Sequence, residues 1–241
     1  MHWHLLPGEA GCQYAVEHNC VAIIVDALRA SATAAMLLDA GAKELLVVRE
    51  VYEARAAKDL YRDALLYGER GGLPLDGFDY GNSPRDAAHA AGRHVIFTTT
   101  TGAGRLVAAW GAAEVYMGTT INATAVARAA ASHGNDVVVI PAGLTGQPEY
   151  DAQEDWTAAA AILMAAGEIT LGEGAGDFDR WRGRIETEGL EHLFNTAPHA
   201  ENLRQIGHEE DIAWCAQLNV TEAVPLAKDR NGFGIVVQNR K

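Results

Sequence analysis

The chain has 241 residues, of which 49% are hydrophobic and 21% charged, and its 19 Lys and Arg against 32 Asp and Glu give a formal charge of −13. That length can bury a full core without disulfide or metal staples, and the composition excludes wholesale disorder. The negative field and the lack of a Lys/Arg cluster exclude nucleic acid as an expected partner.

Taken in chain order, residues 1–7 lack the basic start and long apolar run of a signal peptide. No stretch of about 18 apolar residues follows, so a cytoplasmic protein without a membrane partner is expected. His2 and His4, near the terminus, read as disordered or surface residues. Cys12, Cys20 and Cys215 are odd in number and unpaired in spacing, which fits reduced thiols. Short β-rich apolar runs then alternate with Ala-rich helical runs. Strands are expected over residues 20–25, 44–48, 94–98, 114–117 and 136–140, with helices over 31–39, 51–63, 104–110, 122–132 and 154–166.

Apolar strands without polar alternation, separated by crossover helices, predict an α/β fold: a mostly parallel sheet with helices on both faces. After residue 167 a glycine-rich loop over 172–177 leads into polar helical segments reaching residue 218. This C-terminal part, about 168–241, reads as a helical cap or subdomain on a single domain spanning 1–241. The apolar run 234–237 reads as an edge strand or a hairpin partner.

In open α/β sheets ligands gather where strands end and helices begin, because loops converge there and helix N-termini offer free N–H groups. Four polar clusters fall at such ends. The first is Asp26-Ala27-Leu28-Arg29-Ala30-Ser31: a carboxylate for Mg²⁺, a guanidinium for phosphate oxygens and a serine that caps the helix or touches ligand. An ion pair plus a helix cap explains the same residues. The second is Gly68-Glu69-Arg70-Gly71-Gly72-Leu73-Pro74 with Gly77-Phe78-Asp79-Tyr80-Gly81-Asn82-Ser83-Pro84, a long aperiodic loop of the kind that is often functional, or a solvated surface loop.

The third is Thr98-Thr99-Thr100-Thr101-Gly102-Ala103-Gly104-Arg105. Its hydroxyls and turn N–H groups could cradle an oxyanion, while the threonines equally suit strand filling. It is no Rossmann fingerprint, since the third glycine is absent. The fourth runs from Pro141-Ala142-Gly143-Leu144-Thr145-Gly146-Gln147 to Glu149, Asp151, Glu154 and Asp155, acids that supply a ligand or a base, or simply favour a helix N-terminus. His208-Glu209-Glu210-Asp211 reads as an acidic helix start, and Cys215 as a buried inert thiol.

In order and spacing these motifs resemble the 2-phosphosulfolactate phosphatase family, associated with sulfolactate and coenzyme M biosynthesis. The resemblance spans about residues 21–167, and Asp211-Ile212 with Val224-Pro225 adds to it. It implies an α/β fold and Mg²⁺-dependent hydrolysis of (2R)-2-phospho-3-sulfolactate to 3-sulfolactate and phosphate. Carried over residue by residue, it implies catalytic roles for Asp26, Arg29, Glu69, Arg70, Glu154 and Asp155. It implies substrate-binding roles for Ser31, Asn82, Thr99, Thr100, Gly102 and Asn122. Within that set Asp26, Glu69 and Asp155 are the expected metal carboxylates, and Arg29 and Arg70 the grips for phosphate and the other anionic groups.

The chain departs from the family pattern at Thr101, where Asn is common, at Ala103, where Thr is, and at Pro141, which excludes a cysteine nucleophile there. Attack by a metal-positioned water, with Asp155 or Glu154 as base, is expected ahead of an aspartyl-phosphate on Asp26, because Leu28 stands where an Asp-x-Asp nucleophile motif would put its second acid. The alternative is a binder of small phosphorylated or sulfonated acids with lost or altered catalysis. A homodimer is a reasonable expectation for such an enzyme.

Overall fold

The computed structural model describes residues 1–147 and 149–240. One mixed, mostly parallel sheet of eleven strands runs through it. In chain order the strands are β1 (His2–Leu5), β2 (Val21–Val25), β3 (Glu44–Val47), β4 (Leu65–Arg70), β5 (Leu73–Pro74), β6 (His94–Thr98), β7 (Glu114–Met117), β8 (Val137–Pro141), β9 (Thr170–Leu171), β10 (Pro225–Arg230) and β11 (Ile235–Asn239). Their spatial order is β5-β4-β6-β3-β11-β10-β7-β2-β8-β1-β9.

The helices are α1 (Gly8–Glu17), α2 (Ala30–Asp39), α3 (Val51–Leu60), α4 (Gly102–Ala108), α5 (Ala123–Ala131), α6 (Gln153–Ala165), α7 (Ala175–Glu188), α8 (Leu190–Asn195), α9 (Pro198–Gln205) and α10 (Glu209–Cys215). Short 3-10 turns occupy Pro84–Ala90 and Thr120–Asn122.

The pattern of β2, Val-Ala-Ile-Ile-Val, has the cause assigned to it: all five residues are buried, because β7 and β8 flank the strand in parallel register and apolar layers cover both faces. One layer centres on α5, α6 and the C-terminal helices, the other on α1, α2 and α4. Helix α2, rich in alanine and almost wholly buried, packs against β3, β7, β10 and β11 together. Small side chains let this helix lie close against the sheet. It carries the loop after β2 toward the loops after β4 and β6, from which β2 is separated in the sheet by several strands.

Three local expectations are corrected. Residues 2–5 form β1, hydrogen-bonded in parallel to β8 and β9, with His4 buried and its Nδ1 accepting from the Glu173 N–H at 2.9 Å; sheet pairing outweighs terminal position. The run 68–70 is the end of strand β4 and not loop, because Gly68 pairs with Thr98 of β6. The apolar run near 234–237 lies in β11, a hairpin partner of β10, but at the middle of the sheet: β11 pairs antiparallel with β3 on its other side. Its burial alternates, with Ile235 and Val237 buried and Val236 and Gln238 only partly so. The C-terminal part is thus built into the sheet as well as into α7 to α10, which pack on α6 and on the 3-10 turn Pro84–Ala90. Among the described residues no helix is long and apolar enough to cross a membrane.

Candidate active site

A cavity of about 350 Å³ opens where β2, β4, β6 and β8 end. Its walls include Asp26, Arg29, Glu69, Asn82, Thr100, Thr101, Gly143, Tyr150, Glu154, Asp155 and His199. Strand ends supply most of these, and the N-terminus of α6 supplies its two acids.

Asp26 follows β2 directly. Its Oδ1 accepts from the Ala30 N–H at 3.1 Å, while its backbone N–H donates to the Ser31 hydroxyl oxygen at 3.0 Å. Gly102 leaves room for the other carboxylate oxygen: a Cβ there would stand 2.8 Å from Asp26 Oδ2. Asp155 ties two loops together, taking the Ala27 N–H on Oδ1 at 2.8 Å and the Gly143 N–H on Oδ2 at 3.0 Å. Glu69 clasps the ends of β4 and β6. It accepts from Thr100 N at 2.6 Å, Gly72 N at 2.6 Å and the Thr100 hydroxyl at 3.0 Å.

Glu154, 2% exposed, places Oε1 at 3.3 Å from His199 Nδ1 and leaves Oε2 buried with no partner among the described residues. Arg29 donates from Nη1 to Asp211 at 2.6 Å and from Nη2 to the Gly72 carbonyl at 2.8 Å. Three of its five N–H donors remain for a ligand.

Crowding of carboxylates sets the electrostatics. Burial, with the charges of Glu69 and Glu154 adding to it, pushes Asp26 up to about 6 against the opposing pull of the Ala30 N–H and His199. Burial and the neighbouring Glu154 and Asp26 hold Asp155 well above the usual carboxylate range. Burial lowers the His199 imidazolium, but its hydrogen bond with Glu154 and the charges of Glu154, Asp26 and Glu69 more than offset this, and it stands above its ordinary value. Burial and nearby Glu154, Asp155 and Asp151 push the Tyr150 hydroxyl up to about 12.

Of the expected site residues, the cavity brings together Asp26, Arg29, Glu69, Asn82, Thr100, Glu154 and Asp155. The others sit behind its wall. Arg70 turns its guanidinium to the Glu69 and Arg49 carbonyls and the Thr98 hydroxyl. The Ser31 hydroxyl bonds the Ile24 carbonyl, and Thr99 Oγ1 caps the Ala103 N–H of α4. Asn122, fully buried, links the Thr119 N–H to the Ala223 carbonyl. Gly102 supports Asp26 from α4.

Among the described residues no three His, Cys, Asp or Glu side chains come close enough to ligate one ion by themselves, the trio Asp26, Glu69 and Asp155 included. His199, Tyr150 and Asp211 were not singled out as site residues by sequence. For His199 no local motif marks the position; for Asp211 the signal is an acid beside apolar Ile212 on a helix, whose burial the sequence alone does not show.

The departures from the family pattern are accommodated. Thr101 lines the cavity and its Oγ1 accepts from Thr145 N at 3.4 Å, Ala103 is fully buried, and Pro141 ends β8 opposite Val25.

Comparison with known proteins gives one consistent result. The family model described as 2-phosphosulpholactate phosphatase matches residues 8–230. A probable 2-phosphosulfolactate phosphatase of Thermus thermophilus is 36% identical over 236 residues, 96% of each chain. Proteins of the same description from Deinococcus radiodurans and Carboxydothermus hydrogenoformans are 35% and 33% identical. The first alignment covers 85% of this chain and 86% of the relative, the second 90% of both.

Proposed function

The chain belongs to the 2-phosphosulpholactate phosphatase family, and on that premise we propose that it hydrolyses (2R)-2-phospho-3-sulfolactate to 3-sulfolactate and phosphate with the help of Mg²⁺. Its class is that of a phosphoric monoester hydrolase.

The observation that carries the finer reading is the charge of the cavity. Asp26, Glu69, Glu154 and Asp155 face it against Arg29 and His199, and Arg29 is already balanced by Asp211. A substrate bearing phosphate, sulfonate and carboxylate groups would be repelled by such walls, so a cation must accompany it. The donor set fits Mg²⁺. Hard carboxylate oxygens are what this ion takes, and one or two suffice when waters and substrate oxygens complete the shell. Burial and neighbouring carboxylates disfavour the ionised forms of Asp26 and Asp155, and Glu154 Oε2 has no partner among the described residues, so a cation would stabilise carboxylates that protein groups do not.

Asp26 and Asp155 are the residues that would hold the ion: they accept one and two hydrogen bonds from backbone N–H groups, whereas the Glu69 oxygens accept three hydrogen bonds that order the loops. When bound, Mg²⁺ supplies charge neutralisation for the transferring phosphoryl group and acidifies the attacking water. Arg29 offers its remaining donors to the phosphoryl oxygens from a side chain locked by Asp211. Asn82, buried with Oδ1 unpartnered among the described residues, orients the substrate from the opposite loop. The carboxylates at the start of α6 take the proton of the attacking water.

Phosphate release from the phosphosulfolactate, assayed with and without Mg²⁺, tests the reading. Release that depends on Mg²⁺ is expected. A ligand-dependent rise in melting temperature without any release would leave only a binder.

A further inference from the structure

We propose, resting on the phosphatase reading above, that His199 is the general acid of this reaction and donates the proton that the departing substrate oxygen needs. Loss of an alkyl phosphate ester leaves an alkoxide, a far poorer leaving group than an alcohol, so the P–O bond breaks readily only if a proton reaches the bridging oxygen. Water's oxygen forms the new bond to phosphorus and gives its proton to the carboxylates. The electron pair of the broken bond stays on the bridging oxygen, which takes the proton from His199, and the products are the free hydroxy acid and phosphate.

Three observations point to His199. It contributes the sole imidazole to the cavity wall among the described residues, and the cavity presents neither lysine nor cysteine there. Tyr150, the remaining wall residue with an acidic hydroxyl, is pushed up by burial and by Glu154, Asp155 and Asp151, away from the range near neutral pH that suits a general acid. Second, the ring is oriented. Nδ1 stands 3.3 Å from the buried Oε1 of Glu154, a contact that turns Nδ1 toward α6, and Nε2 has no hydrogen-bond partner among the described residues. Third, α9 lies over the cavity, its C-terminal Ile206 against Gly72, and it presents Asn202 and Gln205 to the wall as well. The donor therefore comes from a different element than the carboxylates of β2 and β4, and Glu154 of α6 is the group it rests against. Asp26, Glu69 and Glu154 line the same cavity from those elements.

The test is turnover and the bridging ¹⁸O isotope effect on the alkyl ester, in His199→Asn and His199→Gln against the parent protein, with thermal melts to confirm folding. Loss of the acid should lower kcat on the order of 10²-fold or more, and should enlarge the isotope effect, because negative charge then builds on the bridging oxygen. A fall in kcat with an unchanged isotope effect in both folded variants would overturn the proposal and make His199 a positioning residue. Absence of phosphate release from the parent protein is a separate result: it removes the phosphatase reading itself, and this role with it.

Discussion

The Arg29 guanidinium and the Asp211 carboxylate, 182 positions apart, meet at 2.6 Å with side chains 1% and 2% exposed. Asp211 is itself held by the Ser83 hydroxyl at 2.7 Å. The pair joins α10 to the loop after β2 and fixes the one arginine that, among the described residues, lines the cavity.

Removing one partner leaves a buried charge alone. Asp211→Ala should cost about 3–5 kcal/mol of stability in urea unfolding, while the double variant Arg29→Met with Asp211→Leu should regain most of it and still lack activity. Arg29→Ala should lower kcat/KM on the order of 10²-fold, the worth of about 3 kcal/mol in a charged hydrogen bond. Wild-type kcat/KM in a folded Arg29→Ala protein would remove the residue from the site.

Asp26 makes stability depend on pH in a defined direction. Its folded value of about 6 lies above the reference of 3.8, so the folded state binds the proton more tightly. That contribution is fully present below 3.8 and is lost as pH rises through about 6. Asp26→Asn should therefore melt higher than the parent at pH 8, by on the order of 2 kcal/mol, with the gap closing near pH 4. A constant gap across that range would contradict the burial of Asp26 beside Glu69 and Glu154.

Mg²⁺ should relieve the same repulsion. At about a hundredfold excess over its dissociation constant it should stabilise the parent protein by about 2.7 kcal/mol in a thermal melt, and markedly less in Asp26→Asn or Asp155→Asn. Equal shifts in all three proteins would move the ion elsewhere.

Glu69→Gln distinguishes a clasp from a ligand. Both oxygens now accept backbone N–H groups, and an amide turned either way sets its NH₂ against one of them. The cost should be about 1–3 kcal/mol, with reduced turnover and an unchanged Mg²⁺ midpoint. A large displacement of that midpoint would instead make Glu69 a ligand.

Gly102→Ala tests the packing behind Asp26. The new methyl would stand 2.7 Å from Ala30 Cβ and 2.8 Å from Asp26 Oδ2, so the carboxylate has to move. Overpacking should cost about 1–3 kcal/mol, and turnover should drop between about tenfold and a hundredfold through misplacement of one catalytic group.

The α/β architecture was legible in the sequence because it is local. Apolar runs such as Val21–Val25, broken by alanine-rich helices, mark parallel strands wherever they fall, and polar residues at their ends, Asp26, Glu69 and Asp155, mark where loops converge. Which polar residue faces the cavity is not local. Ser31, Thr99 and Asn122 carry the same chemistry as Asn82 and Thr100, yet the former spend it on backbone groups within the core. Strand β11 looked terminal and became central because its hairpin inserts between β3 and β7. Asp211 and His199 gained their parts only when the helices after residue 190 folded back over the strand ends, since a buried ion pair or an imidazole set against a glutamate exists only once tertiary packing has brought the partners together.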